Sequence, residues 1–187
     1  MRALDLVPAY RRGFEAAVGE TLRLLADVPA ADMCGLSLGG LVALRVAAER
    51  RREDDRLTAC AAFDRLPANV RRRVRALALA ARVMQRRFLQ RQLVAELPER
   101  HQVRALEEIA PFRRAEISRL MWQAAGSVVD PQAIVAPVLV LCGERDRPNL
   151  PLARRLADAL PRGTLEIVAN AGHVANLDNP EAFSALL

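Results

Sequence analysis

Three polar residues, Ser37, Asp146 and His173, have the types and surroundings to do chemistry together. Serine is a weak nucleophile at neutral pH, so it needs an imidazole within hydrogen-bond reach, itself oriented by a carboxylate. Ser37 lies in Cys34-Gly35-Leu36-Ser37-Leu38-Gly39-Gly40-Leu41, the pattern G-x-S-x-G between an apolar strand-like stretch and an apolar helix-like one. This predicts a tight strand-to-helix turn that lifts the hydroxyl out of the chain's path. Glycine is expected two positions to either side, because a side chain there would collide with neighbouring backbone. Ser37 would then open the helix Leu38–Ala48, whose free N–H groups and dipole favour a developing negative charge. The N–H of Leu38 is the natural first donor to an oxyanion. The competing reading is a glycine-rich turn whose serine merely caps a helix. A phosphate loop is excluded by the missing Gly-Lys-Ser/Thr, and a dinucleotide fingerprint by the glycine spacing.

His173 stands in Ala169-Asn170-Ala171-Gly172-His173-Val174, directly after a strand-like stretch, with a glycine before it. Asp146 stands in Cys142-Gly143-Glu144-Arg145-Asp146-Arg147-Pro148, after another. In a parallel sheet both loops open at the carboxyl edge, the same edge as the Ser37 turn, so residues 136 positions apart can meet. Asp64, after the stretch Leu57–Phe63, is the rival acid, and Glu144 is the fallback. Asp178 lies too near His173 in sequence. Asp146 is favoured over Asp64 as the acid in a Ser, Asp, His order along the chain.

The elements that must position these residues are legible in the spacing of apolar side chains. Ala31–Leu36, Leu57–Phe63, Val138–Cys142 and Leu165–Ala169 have the composition of buried strands, and Met1–Val7 is read as a fifth. Between them, Phe14, Ala17, Val18, Leu22 and Leu25 fall on one helix face, as do apolar positions of Leu41–Ala48 and Leu152–Leu160. Alternation of strand and helix predicts an α/β fold with a mostly parallel sheet covered on both faces. Residues 64–130 break the alternation: rich in Leu, Ala, Arg and Glu and punctuated by Pro67, Pro98 and Pro111, they predict three or four helices inserted as a cap.

Composition narrows the classes. With 187 residues the chain suits one domain with an insertion: 1–63 and 131–187 forming a core around the cap, 64–130. No apolar run reaches membrane-spanning length, and Met1 is followed by Arg2 and Asp5 without the apolar stretch of a signal peptide, so a cytoplasmic protein is expected. Cys34, Cys60 and Cys142 are expected to be small buried residues in a reducing compartment rather than disulfides. With two histidines and no CxxC, neither metal nor cofactor is expected. All 28 basic residues are arginine, and residues 50–119 hold 18 of them against 9 Asp or Glu. Despite Arg71-Arg72-Arg73-Val74-Arg75 and Arg86-Arg87, no nucleic-acid partner is expected, because no recognition motif accompanies them and aromatic residues are only 4% of the chain.

GLSLGG, PVLVLCGERD, and IVANAGH followed by NPEAF, in that order, resemble the α/β-hydrolase superfamily, most closely its cofactor-free members such as esterases and enol-lactonases. The resemblance implies Ser37 as nucleophile, Asp146 as acid, His173 as base and Leu38 as oxyanion donor. It covers residues 1–63 and 131–187; residues 64–130 are similar only in being a helical cap. It also implies that the N-terminal strands of that fold are missing here. With them would go the loop that gives the second oxyanion N–H, so that Leu38 alone donates and weak activity is expected; a fully active monomer would require a residue in Val7–Gly13 to supply the second donor. The expected activity is hydrolysis of a small ester, lactone or thioester through an acyl-serine. The alternative is a non-catalytic binding protein, or an inactive fragment, on the same scaffold. Phe63, Met84, Phe88, Phe112, Met121 and Trp122 are candidates for an apolar acyl pocket or for ordinary core. The expected partners are a small-molecule substrate and a second copy of the chain paired along the exposed sheet edge.

Overall fold

The computed structural model describes residues 4–187. Four strands, β1 (Asp32–Leu36), β2 (Arg56–Cys60), β3 (Val138–Gly143) and β4 (Gly163–Val168), form one parallel sheet in the order β1-β2-β3-β4. Register runs from Met33 opposite Leu57, through Leu57 opposite Val138, to Val138 opposite Gly163. Parallel neighbours require crossovers, and helices supply them. α3 (Leu38–Arg50) joins β1 to β2, and α8 (Leu150–Ala159) joins β3 to β4.

The period of two along each strand divides the core into two layers. Val138, Val140 and Cys142 of β3 pack with Leu57 and Ala59 of β2 beneath Leu41 and Leu44 of α3, Phe14 and Val18 of α2 (Phe14–Leu24), and Ala153 and Leu156 of α8. Leu139 and Leu141 face the other way, with Cys60 and Val168, under Ala175 of α9 (Ala175–Asp178) and Phe183 of α10 (Pro180–Ala185). The second layer is thin, and on β1 it reaches only Leu36. Cys34 of β1 is therefore exposed, contrary to the expectation of three buried cysteines, while Cys60 and Cys142 are buried as expected.

The stretch read as a first strand departs from expectation. Residues 1–3 lie outside the described residues. Leu4–Leu6 form no strand, and Val7 opens helix α1 (Val7–Arg12). Two local choices explain this. Pro8 in the first helical turn is pre-set in φ for a helix and lacks a ladder donor, and Asp5 Oδ1 accepts the Val7 N–H at 3.1 Å. β1 is consequently an edge strand among the described residues. β2 also ends early, at Cys60 rather than Phe63, because Ala61 turns the chain with φ of 50°.

Between β2 and β3 run four helices: α4 (Ala68–Ala80), α5 (Arg86–Val94), α6 (Glu99–Ile109) and α7 (Arg114–Gly126). α7 packs along α4 and also meets α1 and α2. Gln123 Oε1 accepts the Phe14 N–H at 2.9 Å, and the Arg119 guanidinium donates to the Arg11 carbonyl at 2.7 Å. α5 and α6 pack chiefly on each other.

An ion pair that the sequence did not announce ties the amino end of the sheet together. Arg50, at the end of α3, donates to both Asp55 carboxylate oxygens (2.8 and 3.2 Å) and to the Leu25 and Val28 carbonyls. Asp55 in turn accepts the Ala31 N–H at 2.8 Å. Both side chains are almost fully buried, and losing one partner from such a pair costs about 3–5 kcal/mol. No helix of the described residues is long and apolar enough to cross a membrane.

Candidate active site

Ser37 sits between β1 and α3 with φ of 52° and ψ of −114°, a conformation that L-residues rarely adopt. Its N–H donates to the Cys60 carbonyl at 2.8 Å, and its carbonyl accepts the Leu41 N–H at 3.0 Å, so both sides of the turn are pinned. The turn closes only because two neighbours lack side chains. A Cβ on Gly35 would lie 2.5 Å from the Gly39 carbonyl carbon and 2.7 Å from the Gly40 nitrogen; one on Gly40 would lie 2.9 Å from Ala62 Cβ. Gly39 behaves otherwise than the motif suggests: a Cβ there would meet nothing within 4 Å. The second steric requirement belongs to Gly40.

The Ser37 side chain makes no capping hydrogen bond to α3, which disposes of the helix-cap reading. Its Oγ lies 3.0 Å from His173 Nε2, and His173 Nδ1 lies 2.9 Å from Asp146 Oδ2. Thus the three side chains singled out from sequence meet in one hydrogen-bonded relay. Leu38, the first residue of α3, carries one of the N–H groups for which a helix has no internal partner.

The loops after β3 and β4 bring acid and imidazole together by close backbone approach. Gly143 ends β3, and a Cβ there would lie 2.5 Å from the Ala171 carbonyl and closer still to that of Gly172. The Arg145 N–H donates to the Ala171 carbonyl at 2.8 Å, and the Asn170 N–H to Glu144 Oε2 at 2.9 Å. Asn170 turns the chain with φ of 57°. Asp178 accepts the Gly172 N–H at 2.7 Å. Glu144 and Asp178 therefore brace the loops around His173. Asp64 is held elsewhere, accepting from Arg155 Nε of α8 at 3.1 Å.

One member of the site escaped sequence reasoning. Asn149 Nδ2 donates to both Asp146 oxygens at 2.9 Å and lies 3.2 Å from His173 Nδ1. As the residue just before α8, asparagine would ordinarily cap the helix with its side chain; here it makes no such bond and serves the carboxylate instead. Its one trace in the sequence is the spacing Asp146-x-x-Asn149 across the turn into α8, which reads equally as a helix cap.

Electrostatics follow from these contacts. Burial works to raise the Asp146 pKa, but hydrogen bonds from His173 and Asn149 outweigh it and hold the carboxyl below its ordinary range. The hydrogen bond to Asp146 raises the His173 pKa, burial opposes it, and the charges of Asp146 and, more weakly, Glu96 add to the rise. Burial pushes the thiols of Cys60 and Cys142 up to about 12 and about 11. Among the described residues no cluster of three or more His, Cys, Asp or Glu side chains is placed to hold a metal ion.

The six apolar candidates for an acyl pocket divide between two separate clusters and the surface. Phe112 packs with Met84, Met121, Leu89 and Ile117, and Phe63 packs with Leu66, Ala125 and Leu152. Phe88 and Trp122 are 51% and 40% exposed, the latter beneath the Arg75 guanidinium at 4.6 Å.

Solved structures share this arrangement of strands and helices. An esterase from Exiguobacterium antarcticum superposes with a TM-score of 0.77 at 16% identity, over 96% of this chain and 73% of that one. An enol-lactonase from Burkholderia xenovorans gives 0.75 at 22% identity, over 94% and 71%. A thermophilic esterase from Thermogutta terrifontis, with malate bound, gives 0.73 at 20% identity, over 92% and 70%. At such identities these likenesses speak to the fold. The sequence model of the Alpha/beta hydrolase family matches residues 3–186, nearly the whole chain, and the chain belongs to that family.

Proposed function

We propose that this chain is a serine hydrolase that cleaves a small ester, lactone or thioester through an acyl-serine. The observation that carries the reading is the relay Asp146 Oδ2, His173, Ser37 Oγ, with separations of 2.9 and 3.0 Å, on a serine held at positive φ. Ser37 Oγ attacks the substrate carbonyl while His173 Nε2 takes its proton; Asp146 stabilises the imidazolium. The tetrahedral oxyanion is received by the Leu38 N–H and the start of α3. Collapse expels the alcohol or thiol with the proton from His173, and water then repeats the sequence on the acyl-serine. The helices of 64–130 act as a cap that sets substrate choice. Three unpaired cysteines support a reducing, cytoplasmic setting.

A second reading, a non-catalytic binding protein on the same scaffold, draws on Val7–Gly13, the described segment that could offer a second oxyanion donor. That segment is wound into α1, where the Tyr10 and Gly13 N–H groups already donate to the carbonyls of Leu6 and of Ala9 and Tyr10. Hydrolysis of short-chain p-nitrophenyl esters separates the two. The hydrolase reading expects Ser37→Ala to keep its fold by circular dichroism and to lose about 10⁴-fold or more in kcat. Equal turnover by wild type and variant removes it.

A further inference from the structure

We propose that the cleft between α1, α5 and the turn from α6 to α7 is a binding site for a small phosphate-bearing anion, separate from the Ser37 site. The cleft has a volume of about 680 Å³ and is lined by Arg11, Arg86, Pro111, Phe112, Arg113 and Arg114. Its four arginines come from α1, α5 and the start of α7, which are distant in sequence.

What distinguishes this cluster from a solvated arginine face is how the side chains are held. The Arg86 guanidinium donates to the Ala110 carbonyl, and Arg114 Nη1 donates to the Met84 carbonyl at 2.8 Å. Neutral acceptors fix these side chains in place without cancelling their charge. Glu116 is the carboxylate at hand, 3.6 Å from Arg11 Nε, and the same oxygen already accepts the Arg113 N–H at 2.7 Å. Arg11 Nε is buried and has no hydrogen-bond partner. The 13-residue helix α7 begins at Arg114, and the N–H groups of its first turn add to the positive field, offset in part by the Glu116 carboxylate that caps it. Guanidinium forks match the paired oxygens of a phosphate, and Phe112, being buried, offers no platform for stacking a base.

The cleft lies at the far end of the α5–α6 pair from His173. At the near end, Glu96 acts on His173 and the Arg100 guanidinium donates to the Leu177 carbonyl at 2.8 Å. α6 has no buried residue and α5 only Leu89 and Val94, so the pair is thinly anchored. An anion bridging Arg86 to Arg11, Arg113 and Arg114 would fasten its far end.

The test uses inorganic pyrophosphate and isothermal titration at constant ionic strength, with hydrogen exchange across residues 86–109 as second readout. Saturable one-to-one binding is expected, with slower exchange in that segment. Arg113→Gln should weaken binding about tenfold, and its guanidinium has no hydrogen-bond partner among the described residues, so the fold is not at risk. Arg162→Gln, outside the cleft, should not weaken it. The proposal is overturned if sodium chloride at matched ionic strength reproduces the effect, if citrate binds as well as pyrophosphate, or if Arg113→Gln and Arg11→Gln both bind like wild type. Binding of an oligonucleotide that pyrophosphate cannot displace would equally overturn it. None of these readouts depends on chemistry at Ser37.

Discussion

At the scale of single residues, the site is an arrangement of hydrogen-bond donors around one carboxylate. Asp146 receives His173 on one oxygen and Asn149 on both, and these bonds keep it charged against the cost of its burial. A charged Asp146 in turn raises the His173 pKa. In the proposed reaction His173 must be neutral to take the Ser37 proton, and a raised pKa keeps it protonated to higher pH. The acidic limb of kcat/KM is therefore expected above the 6.5 of unperturbed histidine, with activity rising through it. Asn149→Asp places a second negative charge beside the imidazole. It should move that limb to still higher pH and lower kcat; an unmoved limb in a pH–rate profile would deny Asn149 its part. Ser37, Asp146 and His173 could be read from sequence because each sits in a turn whose glycines and preceding strand fix its direction. Asn149 could not: an asparagine before a helix reads as its cap, and only the fold shows its amide turned to Asp146.

At the scale of elements, two close approaches carry the site: α3 against β1 at Gly35 and Gly40, and the loop after β4 against the end of β3 at Gly143. Gly143→Ala would push its Cβ into the Ala171 and Gly172 carbonyls and carry His173 away from Asp146. The expected outcome is a loss of about 1–3 kcal/mol in stability and of about 10²-fold in kcat, read by denaturant melts and ester turnover. Unchanged turnover would mean the two loops are not coupled. β2 and β3 were legible because a parallel strand buried on both faces reads as a short continuous apolar run, whereas β1 and β4, read as buried strands too, lie at the sheet's edges with exposed residues. Two local features were not: Pro8 with Asp5 wound an apolar segment into α1, and Ala61 turned the chain before Phe63. The Arg50–Asp55 pair lay hidden among charges that otherwise look solvated.

At the scale of the whole molecule, β1 pairs with β2 on one side and, among the described residues, has no strand on the other. Its outer backbone groups and the exposed Cys34 lie along that flank. Open edges of this kind template pairing with another chain. Self-association along β1 is therefore expected, seen as a mass that rises with concentration in light scattering; a strict monomer at every concentration would contradict it. The central claim is tested most directly by labelling the folded protein with a fluorophosphonate and locating the adduct by mass spectrometry. The account predicts one adduct on Ser37, lost in Ser37→Ala and strongly slowed in His173→Ala. A folded wild-type protein that takes up no label, or takes it up on another residue, would contradict it.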